Sequence, residues 1–361
     1  MGGPSFVDFL HSGVHARSCA GLRLREPRER MLRGSRTALR RISPRRHLAS
    51  IPKQPFIWKD GALISWDDAK VHVLSTAVQF GSSLFEGMRC YSTPKGPGIV
   101  HLHGHLRRLV DSCKMYRIEV PYSIDQLSAA CFDVVEKNGL SSGCYIRPMV
   151  LRGFGAAGMD GIGSPIETYV PAWEWGAYLG SDAFGRGIDC CTSSWNRPAP
   201  NTFPGMAKAA GNYNNAQLIK MEAQANGYVE AVALSPDGWV SEGSGQNVFL
   251  VRDGALFTPP INGSNLQGLT RGSVIQLARA AGIDVFVQNL PREALYVADE
   301  LFFTGTATEV MPIRSLDKIL IGHGETVGKR GPITKLLQAQ YQDIINGRAE
   351  DVHGWMSWRE R

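Results

Sequence analysis

The chain has 361 residues, which is enough for two domains or for one large domain with a sizeable core. Its hydrophobic content of 43% and charged content of 20% are typical of globular proteins, and no apolar run approaches the roughly 18–20 residues of a membrane-spanning helix. The seven cysteines are odd in number and scattered without a C-x-x-C pair, which argues against a disulfide framework and against a zinc cluster.

The net charge of +6 comes from one segment. Residues 1–50 contain eleven arginines, no lysine and three acidic residues, whereas the rest of the chain has 28 basic and 30 acidic residues, a net charge of −2. Such a leader is consistent with a transit peptide, a nucleic-acid-binding arm or a disordered extension from a start site placed too far upstream. We expect a cytoplasmic protein, or one imported into an organelle if the leader is a transit peptide. Nucleic acid is not an expected partner, since the body is nearly neutral, and a membrane is not expected because no apolar run is long enough to span one.

Residues 51–178 are predicted to form a small N-terminal α+β domain. It begins with short strand-like pieces around a Lys-Asp-Gly turn at residues 59–61. Apolar residues recur at helical spacing in HLHGHLRRLVDSCKMY, and a second helix is marked by a capping box at Ser123 and Gln126 and by a stop at residues 138–139. The segments CYIRPMVL (144–151) and IETYVPAW (166–173) are predicted strands.

The glycine-rich residues 179–187 are a predicted interdomain connection, and residues 188–361 a larger domain. It begins with a strand at GIDCCTSSW and a helix that starts in GMAKAAGNYNNA (205–216) and ends at Asn226-Gly227. From EAVALS to ALFTPP, three strand-like segments separated by Pro-Asp-Gly and Arg-Asp-Gly turns predict a β-meander.

Two further helices complete the larger domain. Thr270 is predicted to cap one that ends near Ala281, and the other spans Pro332 to Ile345. Strands and helices mixed in two halves predict an α+β enzyme with its site between the domains.

Lys208 is a single charge among small apolar residues in GMAKAAGNYNNA. Local composition alone favours a solvated lysine, because lysine is rarely buried. A pyridoxal phosphate site would need such a lysine, an acid at the pyridine nitrogen, a donor at the phenolic oxygen and a phosphate cradle. Tyr213, about one helical turn further on, is a candidate donor, and Glu242, where Gly243 interrupts a strand, is a candidate acid.

Two segments could bind the phosphate. LQGLTRGS places Gly268 and Thr270 at a predicted helix N-terminus, where free N–H groups attract an anion. FFTGTATEV offers a second run of small residues, from Gly305 to Thr308. Arg108 lies in an amphipathic helix, where a solvated arginine is the ordinary interpretation.

Taken in order, the motifs FEGMRCY, HLRRL, YIRP, WGAYLG, SSWNRPAPNT, AKAAGNY, the SEG of VSEGSGQN, LFTPP, LTR and GTATE resemble branched-chain amino acid aminotransferases, which are fold-type IV (class IV) pyridoxal-phosphate enzymes. The resemblance covers nearly all of the chain from about Phe56 to Trp355 and leaves out the leader. It implies a two-domain α+β fold, a small N-terminal domain and a larger C-terminal mixed domain with pyridoxal 5'-phosphate between them. It also implies a homodimer or a higher homo-oligomer.

The resemblance assigns residue roles by matching motifs. Lys208 would be the Schiff-base lysine and proton shuttle, and no metal is implied. The residues expected to bind the cofactor are Arg108, Lys208, Tyr213, Glu242, Leu266, Leu269, Thr270 and Thr306. Those expected to bind the substrate are Phe85, Tyr145, Arg147, Tyr178, Thr306 and Ala307.

The implied reaction is ping-pong transamination of L-leucine, L-isoleucine and L-valine with 2-oxoglutarate. A D-amino acid aminotransferase and an aminodeoxychorismate lyase on the same scaffold are the alternatives. Two positions depart from the family pattern: Phe80 stands where Tyr is more usual, so that one pocket hydroxyl is expected to be missing, and Gln246 replaces a more usual Glu.

Overall fold

The computed structural model describes residues 50–141, 143–176 and 181–359. Within these ranges the α-helices are α1 Thr76–Phe80, α2 Leu102–Met115, α3 Ile124–Lys137, α4 Ser181–Arg186, α5 Tyr213–Ala225, α6 Leu269–Ala280 and α7 Pro332–Ile345. The strands are β1 Phe56–Lys59, β2 Ala62–Ser65, β3 Ser83–Phe85, β4 Met88–Thr93, β5 Gly96–Val100, β6 Cys144–Ile146, β7 Met149–Arg152, β8 Ile166–Val170, β9 Ala172–Trp173, β10 Ile188–Thr192, β11 Glu230–Leu234, β12 Val240–Gly243, β13 Asn247–Arg252, β14 Ala255–Thr258, β15 Val285–Val287, β16 Glu300–Gly305, β17 Glu309–Leu316, β18 Ile319–Leu320 and β19 Met356–Ser357. Residues 1–49, Tyr178 and the start of the predicted connection lie outside the described residues, so what was predicted for them stays a prediction.

The described strands form three sheets. Sheet I has the order β2-β1-β8-β7-β3, and sheet II has the order β19-β5-β4-β6-β9. Sheet III has nine strands, in the order β12-β11-β10-β17-β16-β13-β14-β15 with β18 paired to β17. In sheet III, β10 is parallel to β11 and β17, and β14 is parallel to β15, while the other pairs are antiparallel. Mixed sheets and helices make the fold α+β, as the sequence predicted.

The chain crosses between sheets I and II at three neighbouring points. β3 continues into β4 through Glu86-Gly87, β6 into β7 through Arg147-Pro148, and β8 into β9 through Pro171. Backbone hydrogen bonds join the crossings: the Glu86 N–H donates to the Pro148 carbonyl at 2.8 Å, and the Arg147 N–H donates to the Pro171 carbonyl at 2.9 Å. The crossings therefore form one layer, and Arg147 lies in it rather than inside a strand.

Two predicted strands are corrected by these crossings. The segments 144–151 and 166–173 were expected to be one strand each, but each is divided into two strands that belong to different sheets. Pro148 and Pro171 stand at the divisions, because a proline has no N–H to donate to a ladder.

The predicted β-meander is also wrong. The hairpins β11–β12 and β13–β14 form as expected, but β10, β17 and β16 lie between them in sheet III. Between β12 and β13 the Gly243 N–H donates to the Gln246 carbonyl at 2.7 Å, and the two strands are not neighbours in the sheet order. The turn at residues 243–246 lies where β12 ends and β13 begins.

Local helix signals gave accurate bounds for α3 and α7. The Ser123 side chain accepts a hydrogen bond from the Gln126 N–H at 3.2 Å, and the Gln126 side chain accepts one from the Ser123 N–H at 2.9 Å, which completes the predicted capping box. α3 ends just before Asn138, and α7 spans Pro332–Ile345 as predicted.

Two helix starts differ from the prediction. α5 begins only at Tyr213, after a 3₁₀ turn over residues 210–212, so Lys208 lies before the helix in extended backbone whose next residue, Ala209, bridges to Leu84. α6 is capped by Gly268 rather than Thr270, which is the second helical residue and is buried.

Sheet III is covered by apolar side chains on both faces. Phe303 and Met311 belong to one buried cluster, and their neighbours Phe302 and Val310 to another, as the alternation of strand side chains requires. The turns at the ends of its strands, at residues 243–246 and 305–308, are free to line a cavity.

The division into domains at 51–178 and 188–361 stays a prediction. Sheets I and II take their strands from residues 56–173 and sheet III from residues 188–320, except that β19 joins sheet II by pairing Met356 with Val100.

Candidate active site

One cavity of about 310 Å³ brings the predicted site residues together. It lies against the crossing layer, the N-terminus of α6 and the turns of sheet III. Tyr178 lies outside the described residues. The other predicted residues all line the cavity: Phe85, Arg108, Tyr145, Arg147, Lys208, Tyr213, Glu242, Leu266, Leu269, Thr270, Thr306 and Ala307.

Lys208 enters the cavity from the extended segment before α5. Its backbone is fixed at both ends, since its N–H donates to the Ser112 hydroxyl at 3.0 Å and its carbonyl accepts the Phe85 N–H at 3.0 Å. Its Nζ lies 2.5 Å from the Tyr213 hydroxyl and 4.9 Å from the ring centres of Phe85 and Tyr213. Among the described residues no carboxylate pairs with it, so the amine is available for chemistry.

Glu242 is a buried carboxylate at the end of β12. Its Oε1 lies 3.0 Å from Nη2 of Arg197, and its Oε2 accepts the Leu266 N–H at 3.2 Å and Nδ2 of Asn247 at 3.3 Å. Burial raises the pKa of the Glu242 carboxyl, although Arg197 opposes this. A cationic ligand group placed against Glu242 would stabilise its ionised form.

Arg108 is held by a buried carboxylate behind it. Its Nε and Nη2 donate to the two oxygens of Glu86 at 2.6 and 2.8 Å, and its Nη1 donates to the Gln267 carbonyl at 2.7 Å. This bidentate geometry fixes the guanidinium beside the N-terminus of α6. Burial alone would raise the pKa of the Glu86 carboxyl, but Arg108 and His105 hold that pKa well below its usual range.

His105 connects Glu86 to the turn between β16 and β17. Its Nδ1 lies 2.6 Å from Glu86 Oε2, and its Nε2 lies 3.3 Å from the Thr306 hydroxyl. Burial lowers the pKa of His105, although Glu86 opposes this, so the imidazole is neutral near pH 7 and donates to Glu86 from Nδ1. Arg108 and Thr306 are therefore held by one buried network.

The N-terminus of α6 has the donors to bind an anion. The N–H groups of its first turn have no partner within the helix, and Leu269 and Thr270 line the cavity. A Cβ on Gly268 would lie 2.0 Å from Oδ1 of Asn247, so only glycine allows this close approach. With Arg108 at its side, this element has the charge and donors that a phosphate needs.

A cation and several aromatic rings form another part of the wall. The Arg147 guanidinium lies 4.8 Å from the centre of the Phe85 ring and 5.2 Å from that of Tyr145, whose hydroxyl accepts its Nη2 at 3.3 Å. Its Nε is buried without a hydrogen-bond partner, and within the described ranges it has no carboxylate partner. Tyr145 packs against Trp173 and Trp175 at ring-centre distances of 5.3 and 4.3 Å. The wall can thus bind a carboxylate beside an apolar group.

A family comparison agrees with this geometry. The model of the family described as amino-transferase class IV matches residues 83–316, which include every described site residue. The chain belongs to the class IV aminotransferases.

Several relatives of this class IV aminotransferase are branched-chain enzymes. The branched-chain-amino-acid aminotransferase of Salmonella typhimurium is 48% identical over 305 residues, 84% of this chain and 97% of the relative. The crystal structure of the Escherichia coli branched-chain amino acid aminotransferase has a TM-score of 0.82 at 46% identity and covers 85% of this chain and 99% of its own. The branched-chain enzyme of Thermobaculum terrenum, solved in its PLP form, has a TM-score of 0.77 at 33% identity, with coverage of 84% and 98%.

The residues of this class IV aminotransferase fit a pyridoxal-type phosphate cofactor. Lys208 supplies an amine without a carboxylate partner, Tyr213 a hydroxyl beside it, and Glu242 a buried acid. Arg108 and the α6 N-terminus lie side by side and could hold the phosphate. These are the groups that such a cofactor requires of a protein.

Sequence reasoning did not single out Arg197, Glu86 or His105. All three lie within or beside motifs that carry the resemblance: Arg197 in SSWNRPAPNT, Glu86 in FEGMRCY and His105 at the start of HLRRL. Arg197 pairs with Glu242, and Glu86 pairs with both His105 and Arg108; in each case the partners come from separate segments of the chain, so no local pattern identifies them. Charged types inside a functional motif were the only available signal.

The two departures from the family pattern have different surroundings. Phe80, at the end of α1, is 48% exposed and is not among the residues that line the cavity, so the expectation of a missing pocket hydroxyl has no support here. Gln246 is buried and lines the cavity; its Nε2 donates to Glu230 Oε2 at 3.0 Å and its Oε1 accepts the Gly245 N–H at 3.1 Å. Lys220 also donates to Glu230, at 2.8 Å.

Two kinds of feature are absent from the part of the chain that the structure describes. No helix there combines the length and apolarity needed to cross a bilayer. No cluster of three or more His, Cys, Asp or Glu side chains there has an arrangement that could hold a metal ion.

Proposed function

We propose that this chain catalyses reversible amino-group transfer between L-leucine, L-isoleucine or L-valine and 2-oxoglutarate, with pyridoxal 5'-phosphate bound to Lys208. The observation that carries the proposal is the single cavity that contains the Lys208–Tyr213 pair, the buried Glu242, and Arg108 at the N-terminus of α6. Identities of 41–48% to branched-chain-amino-acid aminotransferases over most of the chain support this substrate class.

Lys208 is the residue that moves the proton. Once the substrate amine has replaced Lys208 on the cofactor, the free Nζ can take the proton from the substrate α-carbon. It can then return this proton on the cofactor side of the substrate nitrogen. The bound cofactor supplies the conjugated ring that accepts the electron pair. The Tyr213 hydroxyl, 2.5 Å from Nζ, orients the amine between these two positions. The Glu242 carboxylate would pair with the ring nitrogen of the cofactor and keep that nitrogen protonated.

Arg147 and the turn between β16 and β17 bind the acid groups of the substrates. The partly unpartnered Arg147 guanidinium supports recognition of a carboxylate, and the N–H groups of Thr306 and Ala307 offer a second set of donors. The rings of Phe85 and Tyr145 suit an aliphatic side chain at the same place. This combination accounts for one pocket that accepts both leucine and glutamate.

We also propose that the partner is a second copy of this chain. Residues 71–80 and 154–162 lie side by side, with the rings of His72 and Phe154 4.2 Å apart. They expose large apolar side chains at Val73, Leu74, Val78, Phe80, Phe154, Met159 and Ile162. An exposed apolar surface of this kind is typical of an oligomer interface. Light scattering of the purified protein would give its mass. A wild-type mass equal to that of one chain, unchanged in Met159→Glu, would contradict the proposal.

The activity test uses the purified full-length protein with pyridoxal 5'-phosphate. We expect glutamate formation from L-leucine and 2-oxoglutarate, and none after Lys208→Ala. Borohydride treatment should fix the cofactor to the peptide that contains Lys208, as detected by mass spectrometry. Turnover confined to D-alanine or to aminodeoxychorismate would overturn the assignment in favour of one of the two alternatives on the same scaffold.

A further inference from the structure

Arg89 and Glu309 form an ion pair that has no part in the proposed proton transfer or in substrate binding. Arg89 lies on β4, next to the crossing layer, and Glu309 is the first residue of β17. The Arg89 Nη1 lies 3.4 Å from Glu309 Oε1, and the two side chains are only 13% and 6% exposed. Both residues belong to motifs that carry the family resemblance, FEGMRCY and GTATE, yet neither lines the cavity.

Arg89 fixes the aromatic wall of the cavity. Its Nη2 donates to the carbonyls of Trp175 and Gly176 at 3.1 and 3.4 Å, which holds the backbone that carries the Trp175 ring. That ring packs 4.3 Å from the ring of Tyr145, and Tyr145 is the cross-strand partner of Arg89 in sheet II. The guanidinium therefore holds Trp175 through its backbone, and Tyr145 is held by the Trp175 ring and by the pairing of β4 with β6.

Glu309 fixes the opposite element, the turn of Thr306 and Ala307. It pairs with Gly305 across the β16–β17 hairpin and so closes this turn. Its backbone φ is +57°, an uncommon conformation for a non-glycine residue that persists only where surrounding contacts hold it. Those contacts are the Tyr91 hydroxyl, which donates to Oε1 at 2.7 Å, and Nε2 of Gln342, which donates to Oε2.

We infer that the Arg89–Glu309 pair sets the separation between the Tyr145–Trp175 wall and the Thr306–Ala307 turn, and that this separation determines which substrate side chains the cavity accepts. The inference rests on the proposed transamination. Arg89 and Glu309 are positioning residues, because they act through the wall and the turn without reaching the cavity. The phosphate end, built from Arg108 and α6, is held directly by Glu86 and by the Gln267 carbonyl, and its one link to the turn is the 3.3 Å contact of His105 with the Thr306 hydroxyl.

The test compares Arg89→Met and Glu309→Gln with Arg314→Met. Arg314 forms an ion pair on the same strand β17, 2.6 Å from Asp189; this pair is more exposed than the Arg89–Glu309 pair, and Arg314 does not line the cavity. Steady-state KM and kcat would be measured for L-leucine and L-glutamate, together with the Kd of pyridoxal 5'-phosphate. We expect KM for the amino acids to rise about tenfold or more in the first two variants, since small misplacements near a site have effects of this size.

The change should be selective. The leucine-to-glutamate ratio of kcat/KM should shift, the cofactor Kd should stay within about twofold, and Arg314→Met should match the wild type. The double variant should resemble either single variant, because a pair that acts as one unit is lost only once. Arg89→Lys keeps the charge, so its KM values should lie between those of the wild type and of Arg89→Met. This variant also serves if Arg89→Met fails to fold.

Three results would count against the inference. Unchanged KM values in folded Arg89→Met would overturn it, and so would an equal loss for both substrates together with weaker cofactor binding, since that marks a merely structural role. A wild-type protein without any transamination would overturn the proposed function and this inference with it. Either of the first two results, obtained together with an active wild type, would overturn the inference but leave the proposed function in place.

Discussion

The amine of Lys208 lies 2.5 Å from the hydroxyl of Tyr213, although the two residues belong to different kinds of backbone. Lys208 is in an extended segment that is held by β3 and α2, whereas Tyr213 is the first residue of α5. The 3₁₀ turn at residues 210–212 reverses the chain between them, and the small side chains of this stretch permit the close turn. The pair is thus fixed by tertiary contacts on one side and by the start of a helix on the other.

Replacing Tyr213 by Phe tests the role of the hydroxyl. The ring contact with Phe85, at 4.8 Å between centres, is kept, so we expect the free energy of unfolding to change by less than about 1 kcal/mol. Turnover should fall about tenfold or more, because the lysine loses the group that orients it. The visible absorbance of the bound cofactor should also shift. Tyr228→Phe, away from the cavity, serves as the control, and equal turnover in both variants would contradict the proposed contact.

Glu86→Gln tests the buried network behind Arg108. The folded-state pKa of Glu86 is lower than the unfolded value near 4.5, so its contribution to stability is complete above that pH and is lost as the pH falls towards the folded value. We expect the variant to be less stable than the wild type by about 3 kcal/mol at pH 7. Urea titrations should show this difference shrinking by roughly 1–2 kcal/mol between pH 6 and pH 3. A constant difference over that range would be inconsistent with a charged Glu86.

Two glycines at the start of α6 form a matched pair. A methyl group at Gly268 would displace Asn247, which donates to the Leu266 carbonyl at 2.9 Å and to Glu242. We expect Gly268→Ala to weaken pyridoxal 5'-phosphate binding about tenfold or more. Gly272→Ala meets no atom within 4 Å and should keep the affinity while raising helix stability by up to about 1 kcal/mol. Fluorescence titration gives both affinities, and equal values would exclude the predicted clash.

Gln246→Glu should make the protein less stable as the pH rises from 5 to 8. A second carboxylate would stand about 3 Å from Glu230, so one of the two would keep a proton and have a raised folded-state pKa. Such a group stabilises below its unfolded pKa, and this contribution disappears as the pH rises through the folded value. We expect a loss of about 1–2 kcal/mol at pH 8 and little at pH 5, a modest effect because Lys220 remains beside Glu230.

The double variant Glu230→Gln with Gln246→Glu is the control for this effect. It keeps one carboxylate and one amide at the same two positions, so its unfolding free energy should follow the pH dependence of the wild type. If Gln246→Glu alone showed no dependence on pH between 5 and 8, the close contact of Gln246 with Glu230 would be refuted.

Features set by neighbouring residues could be predicted from the sequence. The capping box at Ser123 and both ends of α7 follow from side chains within one turn of the helix ends, and the structure has them at those residues. The likeness to class IV aminotransferases predicted a common site for twelve described residues, and all twelve line one cavity of the structure. Their individual roles stay proposals until the variants are measured.

Features set by distant contacts could not be predicted. Pro148 was counted within a strand, because hydrophobic alternation does not register a change of sheet. The start of α5 was placed too early, since small residues permit a helix but the bridge of Ala209 to Leu84 keeps the backbone extended. Arg197 was missed because its partner Glu242 lies 45 residues away in sequence.

The crossing layer has a consequence for how this fold can change during evolution. Gly87 and Arg147 border the cavity but belong to neither ladder, because pairing resumes at Met88 with Ile146 and at Phe85 with Met149. A new side chain at Arg147 alters the cavity and leaves every cross-strand pair in place, whereas a Cβ at Gly87 would lie 1.7 Å from the Tyr145 hydroxyl and would displace that ring. Substitutions at Arg147 can therefore change the substrate while both sheets, and the stability that they provide, are inherited unchanged.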